Sequence, residues 1–67
     1  MSSKPPASRH QLQRVYVDSA AFVRETRMRL RNAIKEHPEE RRRLAPLVAS
    51  LGEWLVALKR ARVEAGL

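Results

Sequence analysis

Apolar residues recur at every third or fourth position in the first half of the chain, which is the spacing of one face of an α-helix. The pattern predicts a first helix from about Arg9 to Glu36, with no glycine or proline inside it. Ser8 followed by Gln11 matches a capping box at its start. The predicted buried stripe consists of Leu12, Val15, Tyr16, Ser19, Val23, Thr26, Leu30, Ala33, Ile34 and His37.

The run His37-Pro38-Glu39-Glu40 ends this pattern. A proline pushes the residue before it out of the helical region, so the first helix should stop at His37. Pro38 suits the first position of a new helix, and the two glutamates favour its first turn because of the helix dipole. A connection this short predicts an antiparallel helical hairpin.

The second half predicts another helix, which runs to about Ala65 and stops at Gly66 in a left-handed conformation. Pro46 interrupts it because proline has no amide to donate, so we expect this helix to be kinked or broken near Pro46, or preceded by a separate turn over 38–44. A helix-turn-helix over 48–53 is an alternative. The apolar pattern continues through that segment without a break, which favours one helix.

The second helix has two apolar strips on nearly opposite sides. A leucine face contains Leu44, Leu47, Val48, Leu51, Trp54, Leu55 and Leu58. A small-residue strip contains Ala45, Ala49, Gly52, Val56 and Val63. We expect the leucine face to pack on the first helix and the small-residue strip to meet a second copy, giving a four-helix bundle as a homodimer. The alternatives are a foreign helix on the strip, or alanines that are simply exposed.

The chain has 67 residues, enough for one small domain. We expect a disordered polar tail over 1–7 and a single helical-hairpin domain over 8–67. There are no cysteines, so disulfides cannot support the small core and self-association could. No secretory signal or membrane-spanning pattern is visible, so a cytoplasmic location is expected and a membrane partner is not.

Basic residues outnumber acidic ones by 14 to 7, which gives a net charge of +7. This balance favours nucleic acid or an acidic protein surface as partner. The predicted nucleic-acid-binding residues lie on one flank of the first helix and just after the turn: Arg24, Arg27, Arg31, Lys35, Arg41, Arg42 and Arg43. The alternative is a solvated face, on which Arg29 pairs with Glu25.

Nothing in the sequence resembles a catalytic site. His10 and His37 lie at opposite ends of the first helix, and no phosphate loop or nucleophile motif is present. We therefore expect no catalytic residue, metal, cofactor or small-molecule substrate. The predicted function is that of a small, basic, non-enzymatic protein, nucleic-acid-associated or regulatory, which binds phosphate backbone through the basic end of the hairpin. The alternative is an adaptor, inhibitor or structural subunit that binds protein through the small-residue strip.

Overall fold

A computed structural model describes residues 8–67, and the tail predicted over residues 1–7 lies outside the described residues. Two α-helices, α1 (Arg9–Glu36) and α2 (Arg41–Glu64), are joined by a 3-10 turn over Pro38–Glu40. The described residues contain no strand, so the prediction of an all-α fold is confirmed. The principal-axis extents are 55 × 25 × 17 Å, which describe an elongated pair of helices.

The predicted capping box fixes the start of α1. Ser8 has an extended backbone, with φ −64° and ψ 157°. Its hydroxyl accepts a hydrogen bond from the Gln11 amide at 3.1 Å, and the Gln11 side-chain oxygen accepts one from the Ser8 amide at 2.9 Å. Two amides that have no helical partner are thereby satisfied, so this end of α1 is set by local sequence.

The turn between the helices also follows the local sequence. His37, with φ −130° and ψ 75°, leaves the helical region as the following proline requires. Its amide donates to the Ala33 carbonyl at 2.8 Å and so closes α1. Pro38 is the first residue of the 3-10 turn, and the Glu40 amide donates to the His37 carbonyl at 2.9 Å.

Two hydrogen bonds between the helical arms show their register. Nε of Arg27 donates to the Val48 carbonyl at 3.3 Å, and the Arg9 guanidinium donates to the Gly66 carbonyl. Arg27 is 18 residues after Arg9, and Val48 is 18 residues before Gly66, so both hydrogen bonds give the same antiparallel register. The helices are therefore antiparallel, as the short turn predicted.

Pro46 does not break the second helix. α2 is continuous over Arg41–Glu64 with Pro46 inside it, so the predicted break is wrong. A separate turn does precede α2, but it spans Pro38–Glu40 and not 38–44. The physical reason is that proline removes one hydrogen bond, to the Arg42 carbonyl, on a side of the helix where both residues are exposed to water. Residues before and after it, Leu44 and Val48, are half-buried in the interface and hold the helix together. A bend without a break stays a prediction, and the predicted continuity over 48–53 is confirmed.

Gly66 ends α2 as predicted. Its φ of 72° lies in the left-handed region, which L-residues with a side chain rarely adopt. The Gly66 amide donates to the Val63 carbonyl at 3.0 Å, and the Leu67 amide donates to the Arg62 carbonyl at 3.0 Å. This pair of bonds is a Schellman motif, which satisfies carbonyls at the end of the helix.

The core of the described hairpin is narrow. Within residues 8–67 only Val23 is fully buried, with 1% of its surface exposed. Half-buried side chains make up most of the remaining interface: Tyr16, Ser19, Ala20, Thr26, Leu30, Ile34, Leu44, Val48, Leu51, Leu55 and Leu58. Most of the predicted stripe of the first helix and most of the leucine face therefore belong to the interface, as expected.

Several residues that the sequence assigned to the packed faces are exposed. Leu47 and Trp54 of the leucine face are 50% and 61% exposed, so their predicted burial against the first helix is wrong. At about 100° per residue, they lie roughly 60–80° from the centre of the face that meets α1, and a single neighbouring helix covers a narrower stripe. Leu12, Val15 and His37 of the first stripe are exposed as well.

Candidate nucleic-acid interface

Five of the seven predicted nucleic-acid-binding residues line one groove between the helices. The groove has a volume of about 1050 Å³ and lies near the turn. Its basic lining residues are Arg24, Arg27, Arg31, Lys35 and Arg41. Apolar residues such as Met28 and Val48 form part of its wall, and Glu25 is its one acidic lining residue. We call this surface the basic groove.

Arg27 is the most firmly held cation of the basic groove. It is half-buried, and its Nε donates to the Val48 carbonyl on the opposite helix at 3.3 Å. A Cβ atom built on Gly52 would stand 3.4 Å from both Nε and Nη2 of Arg27, so the guanidinium lies directly over this glycine. A guanidinium carries five N–H groups, and this contact uses one, so the others can still bind an anion.

The other cations of α1 lie along the same flank as Arg27. Arg24 and Arg31 are one turn away on either side and are exposed, and Lys35 follows one turn later. Lys35 is eleven residues beyond Arg24, a distance of about 16 Å along the helix at 1.5 Å per residue. That length matches about five phosphates of one DNA strand at roughly 3.4 Å per phosphate along the helix axis.

The structure separates the predicted cluster of three consecutive arginines at the start of α2. Arg41 lines the basic groove, whereas Arg42 and Arg43 are exposed and do not line it. Consecutive helical positions point about 100° apart, so three neighbours cannot share one narrow groove. The structure therefore brings Arg41 together with Arg31 and Lys35 near the turn, and Arg42 and Arg43 lie outside this groove.

A second groove extends the basic side toward the open end of the hairpin. Its volume is about 340 Å³, and it shares Arg24 with the basic groove. Lys59 and Arg62 line it from α2, next to Tyr16 and Leu58. Neither cation was among the residues predicted to bind nucleic acid. Their spacing in the sequence could have identified them, because Lys59 and Arg62 fall on the same face of the second helix as Arg41. Ala45 and Leu55 lie on that face as well.

Two acidic side chains of α1 form ion pairs with arginines that do not line the basic groove. Glu25 accepts a hydrogen bond from Nη2 of Arg29 at 2.8 Å, as the alternative of a solvated face predicted, and Asp18 lies 3.7 Å from Nε of Arg14. Both pairs are exposed, so each contributes little to stability. Within residues 8–67, none of the five cations of the basic groove forms an ion pair with a carboxylate. Their positive charge is therefore available to a ligand.

The predicted small-residue strip does not lie on one free surface. Gly52 is half-buried against Arg27, and Ala45 lines the basic groove. Ala49, Val56 and Val63 are exposed, the last two by 59% and 71%. The glycine that most favoured an interface on this strip therefore has its contact within the same chain.

Among the residues that the structure describes, no group of three or more His, Cys, Asp or Glu side chains is placed to hold a metal ion. In the same part of the chain, neither helix combines the length and apolar character needed to cross a membrane. Comparison with models of known protein families, with curated proteins and with solved structures finds no match for this chain. The features of this chain that bear on its function are therefore the basic residues that line the two grooves.

Proposed function

We propose that this protein is a non-enzymatic, nucleic-acid-associated protein that binds the phosphate backbone in its basic groove. The observation that carries the proposal is the convergence of five cations, none of them paired with a carboxylate in residues 8–67, on one groove between two helices. Phosphate contacts of this kind supply affinity without sequence reading, so the binding is expected to be insensitive to base sequence. A cytoplasmic location is part of the same proposal.

Arg27 supports this reading because it is held in place before any ligand arrives. Its contact with the Val48 carbonyl and its position over Gly52 limit its freedom, so binding an anion costs it less conformational entropy than a free side chain would lose. A half-buried charge also gains from an anionic partner because it has already lost part of its hydration.

A salt titration of duplex binding tests the proposal. Each phosphate contact contributes about −0.9 to the slope of log affinity against log salt, so five contacts predict a slope of about −4.5. The double variant Arg24→Gln/Arg31→Gln should reduce the slope by about 2 units, because it removes two contacts.

The matched control is Arg42→Gln/Arg43→Gln, which removes the same formal charge from residues outside the basic groove. It should change the slope by much less than the groove variant does. Equal losses in both variants would reject the groove in favour of a diffuse charge effect. Absence of duplex binding at low salt, together with binding to poly-glutamate, would instead identify an acidic protein surface as the target.

The homodimeric four-helix bundle also stands as a proposal. Its support is the small core: one buried residue in the described hairpin leaves much apolar surface in water. The small-residue strip gives weaker support for a foreign protein partner, because Gly52 and Ala45 are occupied by the hairpin's own contacts.

A further inference from the structure

We propose that a second copy of this chain covers an apolar face formed by Val15, Phe22, Leu47 and Trp54. We call this surface the Phe–Trp face. The four side chains are 59%, 68%, 50% and 61% exposed, and they are four of the nine large apolar side chains that the described hairpin leaves in water. The interface differs from the small-residue strip that the sequence suggested.

The four residues share one side of the hairpin. At about 100° per residue, Val15 and Phe22 lie on the flank of α1 opposite to Arg24 and Arg31. Leu47 and Trp54 lie on the corresponding flank of α2. None of the four lines the basic groove or its extension. The basic groove and the Phe–Trp face therefore lie on opposite sides of the helix interface. Two arginines also lie on the side of the Phe–Trp face: Arg29, which is hydrogen-bonded to Glu25, and Arg43.

The position of the two aromatic residues favours a second copy over an unrelated partner. In the register set by Arg27 and Val48, Phe22 is level with position 53, next to Trp54. Phe22 is at the middle of α1, and Trp54 is close to the middle of α2. A two-fold axis across both helices at this level would place each aromatic residue against its equivalent, with Val15 and Leu47 to either side of the axis.

The area of the Phe–Trp face matches what a dimer requires. The exposed parts of its four side chains come to about 400–500 Å². A stable interface buries about 800 Å² on each partner, of which somewhat more than half is apolar, so about 450 Å² of apolar area is needed. The largest exposed apolar patch of a monomer is often functional, and the Phe–Trp face is of that size.

Charge also selects this side for self-association. The chain carries a net charge of +7, so two copies repel each other wherever their basic residues meet. Contact through the basic groove, or through Ala45 at its edge, would bring two sets of five cations together. Contact through the Phe–Trp face keeps the two sets of five cations on opposite outer surfaces of the dimer. An antiparallel arrangement also separates the two turns, where Lys35 and Arg41 lie.

This arrangement has a consequence that rests on the proposed function. The two basic grooves of the dimer point away from each other, so one duplex cannot reach both. One dimer would then hold two separate nucleic-acid segments and act as a bridge between them.

Sedimentation of the full chain, without nucleic acid, over a roughly hundredfold range of concentration tests the dimer. The wild-type chain should shift from the mass of one chain to that of two. The variant Phe22→Gln/Trp54→Gln should remain at the mass of one chain, with its helical circular dichroism retained because both side chains are exposed. The matched control is Val56→Gln, which replaces an apolar residue of α2 that is 59% exposed on the other side. It should dimerise like the wild type.

A cysteine variant provides a second readout, since the natural chain contains no cysteine. Phe22→Cys lies close to the proposed axis, so oxidation should give a covalent dimer faster than it does for Val56→Cys. A wild-type chain that stays monomeric at every concentration would overturn the proposal and leave the face to a different protein. Dissociation caused by Val56→Gln and not by the aromatic variant would overturn it in favour of the small-residue strip.

Bridging is then measured by capture of a labelled duplex on an immobilised one. The wild type should capture it, and the aromatic variant should bind the immobilised duplex without capturing a second. A dimer that binds no duplex contradicts the proposed function alone, whereas a monomer that binds duplex contradicts the dimer alone. The two proposals can therefore fail separately.

Discussion

Replacing Gly52 tests the packing of the Arg27 guanidinium against this glycine, which holds Arg27 in the basic groove. A Cβ at this position would lie 3.4 Å from Nε and Nη2 of Arg27 and 3.5 Å from its Cζ, which are ordinary van der Waals distances. Alanine therefore fits without displacing the guanidinium. Glycine inside a helix costs about 1 kcal/mol relative to alanine, so Gly52→Ala should stabilise the hairpin by about 0.5–1 kcal/mol.

Gly52→Leu should have the opposite effect. Its additional carbon atoms would occupy the space of the Arg27 guanidinium and break the hydrogen bond to the Val48 carbonyl. Overpacking of this kind costs about 1–3 kcal/mol, and the lost hydrogen bond costs about 1 kcal/mol. Since Arg27 would no longer be held in the groove, the salt slope of duplex binding should also fall by about 1 unit.

Thermal unfolding followed by circular dichroism measures both variants, at one protein concentration because self-association shifts the midpoint. For a chain of this size, 1 kcal/mol corresponds to about 4–8 °C. Gly52→Ala should raise the Tm by about 3–6 °C and leave duplex affinity unchanged. A fall in Tm for Gly52→Ala would mean that the helices approach more closely than these distances allow. An unchanged Tm and an unchanged salt slope for Gly52→Leu would show that the Arg27 guanidinium does not pack against this glycine.

Two further substitutions test the backbone of α2. Pro46→Ala restores the amide that can donate to the Arg42 carbonyl, so it should stabilise the hairpin by about 1–3 kcal/mol. Urea unfolding measures the change, and an unchanged midpoint would show that the proline does not destabilise this helix. Gly66→Ala forces a residue with a side chain into φ 72°, so it should destabilise the hairpin by about 1–2 kcal/mol. A neutral Gly66→Ala would mean that the Schellman motif at this end contributes nothing to stability.

The sequence determined where the helices begin and end, because those signals act over a few residues. Ser8 with Gln11, the proline after His37, and Gly66 each set a backbone conformation through bonds within one turn. The antiparallel hairpin followed from the shortness of the connection. The same local reasoning overestimated the ability of Pro46 to break the helix, because half-buried residues on both sides of it keep α2 continuous.

The candidate site was predictable in part. The four cations on the flank of α1 could be grouped from their spacing, since a single helix fixes their relative directions. Arg42 and Arg43 do not line the groove with Arg41, because consecutive residues of a helix point in different directions, and their contact with nucleic acid stays a prediction. Lys59 and Arg62 were not assigned to it, because their position beside Arg24 depends on how the two helices are aligned.

By itself, the sequence determined two amphipathic helices, their ends, and an excess of positive charge. The tertiary structure decided which sides of those helices share a surface. Spacing within one helix gives directions only relative to that helix, and the rotation and register of the second are set by the packing around Val23 and the bond from Arg27 to Val48. That packing turned Gly52 inward, left Phe22 and Trp54 in water on one side, and placed the cations of the basic groove on the other.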